Sequence, residues 1–86
     1  MPISRAERER KFQKNLGQAV RSFRKHHGLR QREVARGSSL SVEYLSRLEN
    51  GRANPTVLTL MAVVEDGMND DLKRFCRHMT GPASDS

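Results

Sequence analysis

The 86-residue chain has no tryptophan, one tyrosine, three phenylalanines and one cysteine. With Cys76 as its lone cysteine it cannot form an intrachain disulfide, and with so few aromatic residues its core must be small and aliphatic. No apolar run approaches the roughly 18 residues that a membrane-spanning helix needs, and the first residues lack the apolar segment of a secretory signal. We therefore expect one small, soluble, cytoplasmic domain with no membrane partner.

Residues that would carry catalysis or bind a metal are poorly placed. His26 and His27 are adjacent and point in different directions on a helix, and Cys76 and His78 are two residues apart, a poor spacing for one metal ion. The chain has neither a glycine-rich phosphate loop nor a motif for nucleophilic catalysis. We expect no enzyme activity, no cofactor and no metal, and we interpret Cys76 as a buried small hydrophobe rather than a redox sensor.

Positive charge is concentrated in the N-terminal half of the chain. The formal net charge is +6, and residues 1–36 carry eleven Lys and Arg against three Asp and Glu, whereas residues 37–86 carry five against seven. A strongly basic region is typical of a surface that binds a polyanion such as nucleic acid. An ordinary solubilising surface has a similar composition, so charge alone does not separate the two interpretations.

The spacing of apolar residues predicts five short helices and no strand. We place them at about residues 6–27, 31–36, 41–50, 54–67 and 69–79, in a single domain over 6–79 with flexible termini at 1–5 and 80–86. Ser41, Asn54 and Asn69 are the predicted N-caps of the last three helices. The predicted inward-facing residues are Phe12, Leu16, Ala19, Val20, Phe23, Val34, Ala35, Leu40, Leu45, Leu48, Val57, Leu60, Val63, Val64, Leu72, Phe75, Cys76 and Met79.

Residues 31–51 predict two short helices joined by a tight turn, with the second helix well capped and apolar on one face. The supporting runs are LRQREVA from Leu29, LS from Leu40, YLSRLENG from Tyr44 and NPT from Asn54. They resemble the phage-repressor and Cro type of helix-turn-helix, the XRE family, over about residues 16–64. The resemblance implies an all-α, compact five-helix bundle of the lambda-repressor-like kind. Its members include phage repressors, restriction–modification controller proteins and antitoxins, and they bind double-stranded DNA as dimers.

Two positions depart from the family pattern. Arg30 stands where the second helix usually has a Ser or Thr cap, and Ser39 stands where the turn usually has glycine. A left-handed conformation at a serine carries some cost, so we expect a slightly different turn, with Gly37 as part of it.

The resemblance also implies roles for individual residues. Arg47 would make a bidentate contact to guanine, Val42 would touch a thymine methyl group, and Glu43 would accept from cytosine or exclude wrong sequences. A buried ion pair between Arg24 and Glu49 would link the first and third helices. The implied base-contacting residues are Val42, Glu43, Ser46 and Arg47. The implied phosphate-contacting residues are Gln31, Tyr44, Asn50 and Arg52.

A surplus of apolar residues towards the C-terminus predicts a homodimer. Leu58 and Met61 occupy positions that this fold usually leaves polar, and together with Leu72, Phe75 and Met79 they offer more apolar surface than one small core needs. The predicted function is that of a homodimeric transcriptional regulator that binds a palindromic operator. The alternative is an antitoxin or protein-interaction module with the same fold, for which a toxin would be a partner.

Overall fold

The computed structural model describes residues 3–80, so residues 1–2 and 81–86 of the predicted flexible termini lie outside the described part. Between Ile3 and Thr80 the chain forms five α-helices and no strand, which confirms the predicted all-α fold. None of these helices is long and apolar enough to cross a membrane. The helices are α1 (Arg5–His26), α2 (Gln31–Ser38), α3 (Val42–Glu49), α4 (Val57–Met61), which continues as a π-helical segment (Ala62–Gly67), and α5 (Leu72–Thr80).

Helix α1 begins with a capping box. The Ser4 hydroxyl accepts a hydrogen bond from the Glu7 N–H at 3.1 Å, and the Glu7 carboxylate accepts one from the Ser4 N–H at 3.1 Å. This reciprocal pair satisfies two backbone donors that the helix itself leaves unpaired. Ser4 and Arg5 therefore belong to the start of the helix, although the sequence had placed them in a loose terminus.

Two of the predicted N-caps are wrong. Helix α4 is capped by Thr56, whose hydroxyl accepts from the Thr59 N–H at 3.1 Å, and not by Asn54. Asn69 lies in a turn with a φ of 55°, and the Asp71 carboxylate accepts from the Lys73 N–H at 2.9 Å at the start of α5. Any Ser, Thr, Asn or Asp near a helix start fits the cap pattern, and the path of the connecting loop decides which one is used.

The turn between α2 and α3 is made by Ser39. Helix α2 extends to Ser38, two residues beyond its predicted end, and Ser39 then adopts the left-handed conformation with a φ of 60°. Gly37 lies within the helix and not in the turn. A Cβ on Gly37 would lie 2.8 Å from the carbonyl oxygen of Asp66, so glycine allows α2 to pack closely on the π-helical segment.

The core is formed where α1 packs against α3 and α5 and where α2 packs against α3 and the π-helical segment. Most of its members were predicted, but Ala53 and Met68 were not. Three predictions of burial are wrong, because Phe12 is 56% exposed, Val57 is 67% exposed and Cys76 is exposed. The buried apolar residues are Leu16, Ala19, Val20, Phe23, Val34, Ala35, Leu45, Leu48, Ala53, Val63, Val64, Met68 and Phe75.

Helix α5 packs on α1 through aromatic rings. Phe75 is fully buried, and its ring centroid lies 5.5 Å from that of Phe23 in an edge-to-face arrangement, which aromatic pairs favour. The ring of His78 also lies near Phe23, with centroids 5.2 Å apart, and His78 Nε2 is 3.1 Å from the Ser22 hydroxyl. A side chain with no exposed surface cannot contact a second subunit, so the placement of Phe75 at a dimer interface is wrong.

A polar contact joins the same two regions at the end of α1. His27 Nε2 lies 2.9 Å from Asp70 Oδ2, and Arg74 Nε lies 3.3 Å from the other carboxylate oxygen of Asp70. The hydrogen bond from the Asp71 N–H, helped by the charges of Arg74 and His27, holds the pKa of Asp70 below its ordinary value. The carboxylate therefore favours its charged form beside these basic groups.

Candidate nucleic-acid interface

Helix α3 is fixed at both ends and along one face. The Ser41 hydroxyl accepts from the Tyr44 N–H at 3.0 Å, as the cap prediction required, and Gly51 follows the helix with a φ of 75°. Leu45 and Leu48 are fully buried. With its ends capped and one face in the core, α3 has a defined orientation and a defined outward face.

The outward face of α3 contains all four predicted base-contacting residues. Val42 is 39% exposed, Glu43 and Arg47 are exposed, and Ser46 is half-buried. These positions share one side of a helix with 3.6 residues per turn. The face combines a methyl-bearing surface, a hydroxyl, a carboxylate and a guanidinium, which are the groups that recognise base edges in the major groove.

A buried ion pair holds α3 against α1. Arg24 donates from Nε to Glu49 Oε2 at 2.6 Å and from Nη2 to Glu49 Oε1 at 3.0 Å. A third N–H, on Nη1, donates to the Leu29 carbonyl at 2.8 Å. The Glu49 side chain has no exposed surface and that of Arg24 is 9% exposed. The pair inferred from the family resemblance is thus present, with the bidentate geometry that makes arginine–carboxylate contacts specific.

The Glu49 carboxylate is also contacted by a side chain of α2 and by a second side chain of α1, one turn before Arg24. Gln31 Nε2 donates to Glu49 Oε1 at 2.9 Å, and Arg21 Nε lies 3.7 Å from that oxygen. Sequence reasoning missed Arg21, although its position three residues before Arg24 places the two on neighbouring parts of the α1 surface. Glu49 therefore fixes the relative positions of α1, α2 and α3.

The four predicted phosphate-contacting residues lie in different surroundings. Gln31 is half-buried with one amide N–H used by Glu49, and its second N–H remains for another acceptor. Asn50 donates from Nδ2 to the Ser46 carbonyl at 2.8 Å, while Arg52 is exposed. Tyr44 is half-buried and packs against the core, which leaves part of its surface for a contact with DNA.

Within residues 3–80, no cluster of three or more His, Cys, Asp and Glu residues is arranged to hold a metal ion. His27, which the sequence singled out with His26, instead faces Asp70.

Two eight-residue helices joined by a tight turn, the second with one buried and one polar exposed face, define a helix-turn-helix. The model of the helix-turn-helix family matches residues 20–65, which is more than half of the chain. The chain belongs to this family, in its XRE type.

Several curated proteins are similar to this chain. An uncharacterised HTH-type transcriptional regulator, y4dJ, of Sinorhizobium fredii is 43% identical over 54 residues, which cover 63% of this chain and 70% of that protein. The HTH-type transcriptional regulator DdrOP3 of Deinococcus deserti is 42% identical over 56% of this chain and 37% of its own length. The ImmF control region 10 kDa protein of Bacillus phage phi105 is 40% identical over 58% of this chain and 56% of its own length. The chain therefore matches less than two thirds of the second and third of these relatives.

Proposed function

We propose that this protein is a cytoplasmic transcriptional regulator that binds a specific sequence of double-stranded DNA. The observation that carries the proposal is the polar outward face of α3, which the Ser41 cap and the Arg24–Glu49 pair hold in one orientation. The major groove is about 12 Å wide and admits one such helix. Relatives named as transcriptional regulators support the same function.

Sequence recognition is assigned to the outward face of α3. Arg47 donates two hydrogen bonds to a guanine, Val42 contacts a thymine methyl group, and Glu43 accepts from a cytosine amino group or repels wrong sequences. Ser46, half-buried beside Asn50, adds a hydroxyl that either donates or accepts.

Gln31, Tyr44, Asn50 and Arg52 are assigned to phosphate contacts, which position the protein without reading sequence. Gln31 suits this role because Glu49 orients its amide while one N–H stays available. Arg52 suits it because its guanidinium is exposed just beyond the C-terminus of α3.

We also propose that the regulator acts as a homodimer on a palindromic operator. The support is the apolar surface of α4, where Leu58 is 75% and Val57 67% exposed and Met61 is half-buried. Leu72 and Met79, also assigned to the dimer interface, are half-buried and pack partly on the core. In a dimer, two copies of α3 would enter successive major grooves about 34–36 Å apart.

Selection from a library of random duplexes tests DNA recognition and symmetry together. We expect a palindromic motif with half-sites about one helical turn apart. If the dimer contacts about 6–10 phosphates, affinity for that site should fall by about three to five decades between 50 and 200 mM salt. Recovery of no motif would contradict the proposal.

Sedimentation tests the dimer separately. Leu58→Asp should produce monomers, because it places a charge in the proposed interface, whereas Ile3→Asp replaces an exposed apolar residue outside α4 and should leave the dimer intact. If the wild-type chain is monomeric at micromolar concentration yet binds its palindrome tightly, the protein dimerises only when it is bound to DNA.

The alternative, an antitoxin or protein-interaction module, is favoured by the same exposed Val57 and Leu58, because two exposed apolar residues on one helix also suit a different protein. This alternative would be favoured if the selection recovered no duplex motif and the chain bound stably to the product of a neighbouring gene.

A further inference from the structure

The first half of α1 extends beyond the core. Residues 5–15 include no buried residue, and burial begins at Leu16. A helix of 22 residues is about 33 Å long, so half of α1 contributes no buried side chain to the core of this small domain. The two acidic residues of this projecting part are already occupied, since Glu7 caps the helix and Glu9 pairs with Arg5 at 3.0 Å.

Three basic residues lie along one side of α1, and we call Arg10, Lys14 and Arg21 the α1 basic row. Their spacing of i, i+4 and i+11 puts them within a narrow sector of a helix with 3.6 residues per turn. Among residues 3–80, Arg10 and Lys14 have no acidic side chain within ion-pairing distance. Arg21 remains half-exposed despite its 3.7 Å contact with Glu49. The row therefore presents positive charge that the folded chain leaves largely uncompensated.

The row borders the residues assigned to phosphate contacts. Arg21 approaches the same Glu49 oxygen to which Gln31 donates, so these two side chains lie on one surface. At the middle of the row, a Cβ on Gly51 would lie 2.9 Å from the Cα of Lys14. Lys14 thus runs beside the loop that carries Asn50 and Arg52.

We propose that the α1 basic row binds backbone phosphates beside the groove that α3 enters and so lengthens the footprint on DNA. This inference rests on the proposed function. The row spans about 17 Å from Arg10 to Arg21, at 1.5 Å of rise per residue. Duplex DNA carries one negative charge per about 1.7 Å of its axis, so a row of this length faces several phosphates. Because the row consists of cations, the contact is sequence-independent and its partner is a polyanion.

The test compares two variants that lose equal charge. Arg10→Gln/Lys14→Gln removes two members of the row. Arg8→Gln/Lys73→Gln removes two exposed cations outside it, since Arg8 lies two residues before Arg10, on nearly the opposite side of α1, and Lys73 lies on α5. Binding of each protein to a fluorescent mixed-sequence duplex of 30 base pairs is titrated at several salt concentrations, and circular dichroism checks that helicity is retained.

We expect the row variant to lose two phosphate contacts per protomer. The slope of log affinity against log salt concentration should then become shallower by about 1.8 per protomer, at about 0.9 for each lost contact. Between 50 and 200 mM salt this amounts to an about 12-fold smaller loss of affinity per protomer. The control variant should keep the wild-type slope, and both variants should keep the motif recovered by selection.

Equal slopes for the row variant and its control would overturn the inference while leaving the proposed function intact. A row variant that sediments as a monomer, when wild type and control are dimers, would make the row a subunit contact and would also overturn it. If the wild-type protein binds no duplex, the proposed function itself fails, and that result is distinct because it requires no variant.

Discussion

Helices α3 and α5 both bury apolar side chains in the core, but the side-chain contacts that join them to α1 differ in kind. Helix α3 is tied by a charged group, the buried Glu49 carboxylate, which accepts hydrogen bonds from Arg24 and Gln31 and lies 3.7 Å from Arg21 Nε. Helix α5 is held by the Phe75 ring against Phe23. Hydrogen bonds are directional whereas apolar contact is not, so α3 has a fixed rotation about its axis. A helix that presents side chains to base edges needs that fixed rotation, and a helix that closes a core does not.

The largest effect should follow from removing the apolar contact of α5. Phe75→Ala leaves a cavity in a small core and should lower the free energy of unfolding by about 3–5 kcal/mol, measured by urea denaturation. Phe12→Ala is the matched control, because the same atoms are removed from a ring that is 56% exposed. Its cost should stay near the range of surface substitutions, about 0.5 kcal/mol. Similar losses for both variants would mean that burial of Phe75 is not what holds α5.

Replacing one or both members of the Arg24–Glu49 ion pair should change the free energy of unfolding by different amounts. Arg24→Met or Glu49→Met alone leaves a buried charge without its partner and should cost about 3–5 kcal/mol, whereas the double variant should be close to neutral. A double-mutant cycle in thermal unfolding measures this coupling. The double variant should still lose DNA affinity, because Gln31 no longer has Glu49 to orient it. Additive single effects would contradict the coupling.

Substitutions on the outward face of α3 and substitutions beside the helix should affect DNA binding in different ways. Arg47→Ala should cost about 1–3 kcal/mol on the best operator and relax preference at one base pair. Arg52→Ala should weaken binding to all sequences alike and reduce the salt dependence. Both effects are measured by titration on operator and mutated-operator duplexes. Identical behaviour of the two variants would refute the division into base and phosphate contacts.

The smallest effect concerns the polar contact beside α5. Because the pKa of Asp70 is depressed in the folded chain below 3.8, its stabilising contribution is present above that value and is lost as the pH falls through the folded pKa. The unfolding free energy of the wild type should therefore fall more steeply below about pH 4 than that of Asp70→Asn. Other carboxylates titrate in both proteins, so the difference between the two curves is the measurement. Parallel curves would show that ionisation of Asp70 adds no stability to the folded chain.

Local signals predicted most of the helix-turn-helix. Ser41, Gly51, Leu45 and Leu48 act through hydrogen bonds and periodicity within about one turn of themselves, and the structure contains each feature as expected. The family resemblance supplied the long-range contact between Arg24 and Glu49, which no local pattern reveals.

The limits of periodicity are clearest in α5. The apolar stripe grouped Leu72, Phe75, Cys76 and Met79 on one side, but α1 covers only part of that side, and the ring of His78 also lies against Phe23. Phe75 is fully buried, whereas Cys76 is exposed. A hydrophobic stripe marks which residues share a face, but not which part of that face the neighbouring helix covers.

The sequence by itself therefore determined the helices, the basic N-terminal half and the polar face of α3, because each depends on residue type and short-range spacing. Tertiary structure decided the exposure of Phe12 and Val57, the burial of Phe75 and the meeting of Gln31 and Arg21 at Glu49. These features depend on where one helix ends relative to another and how each is rotated. Packing of the whole core sets those relations.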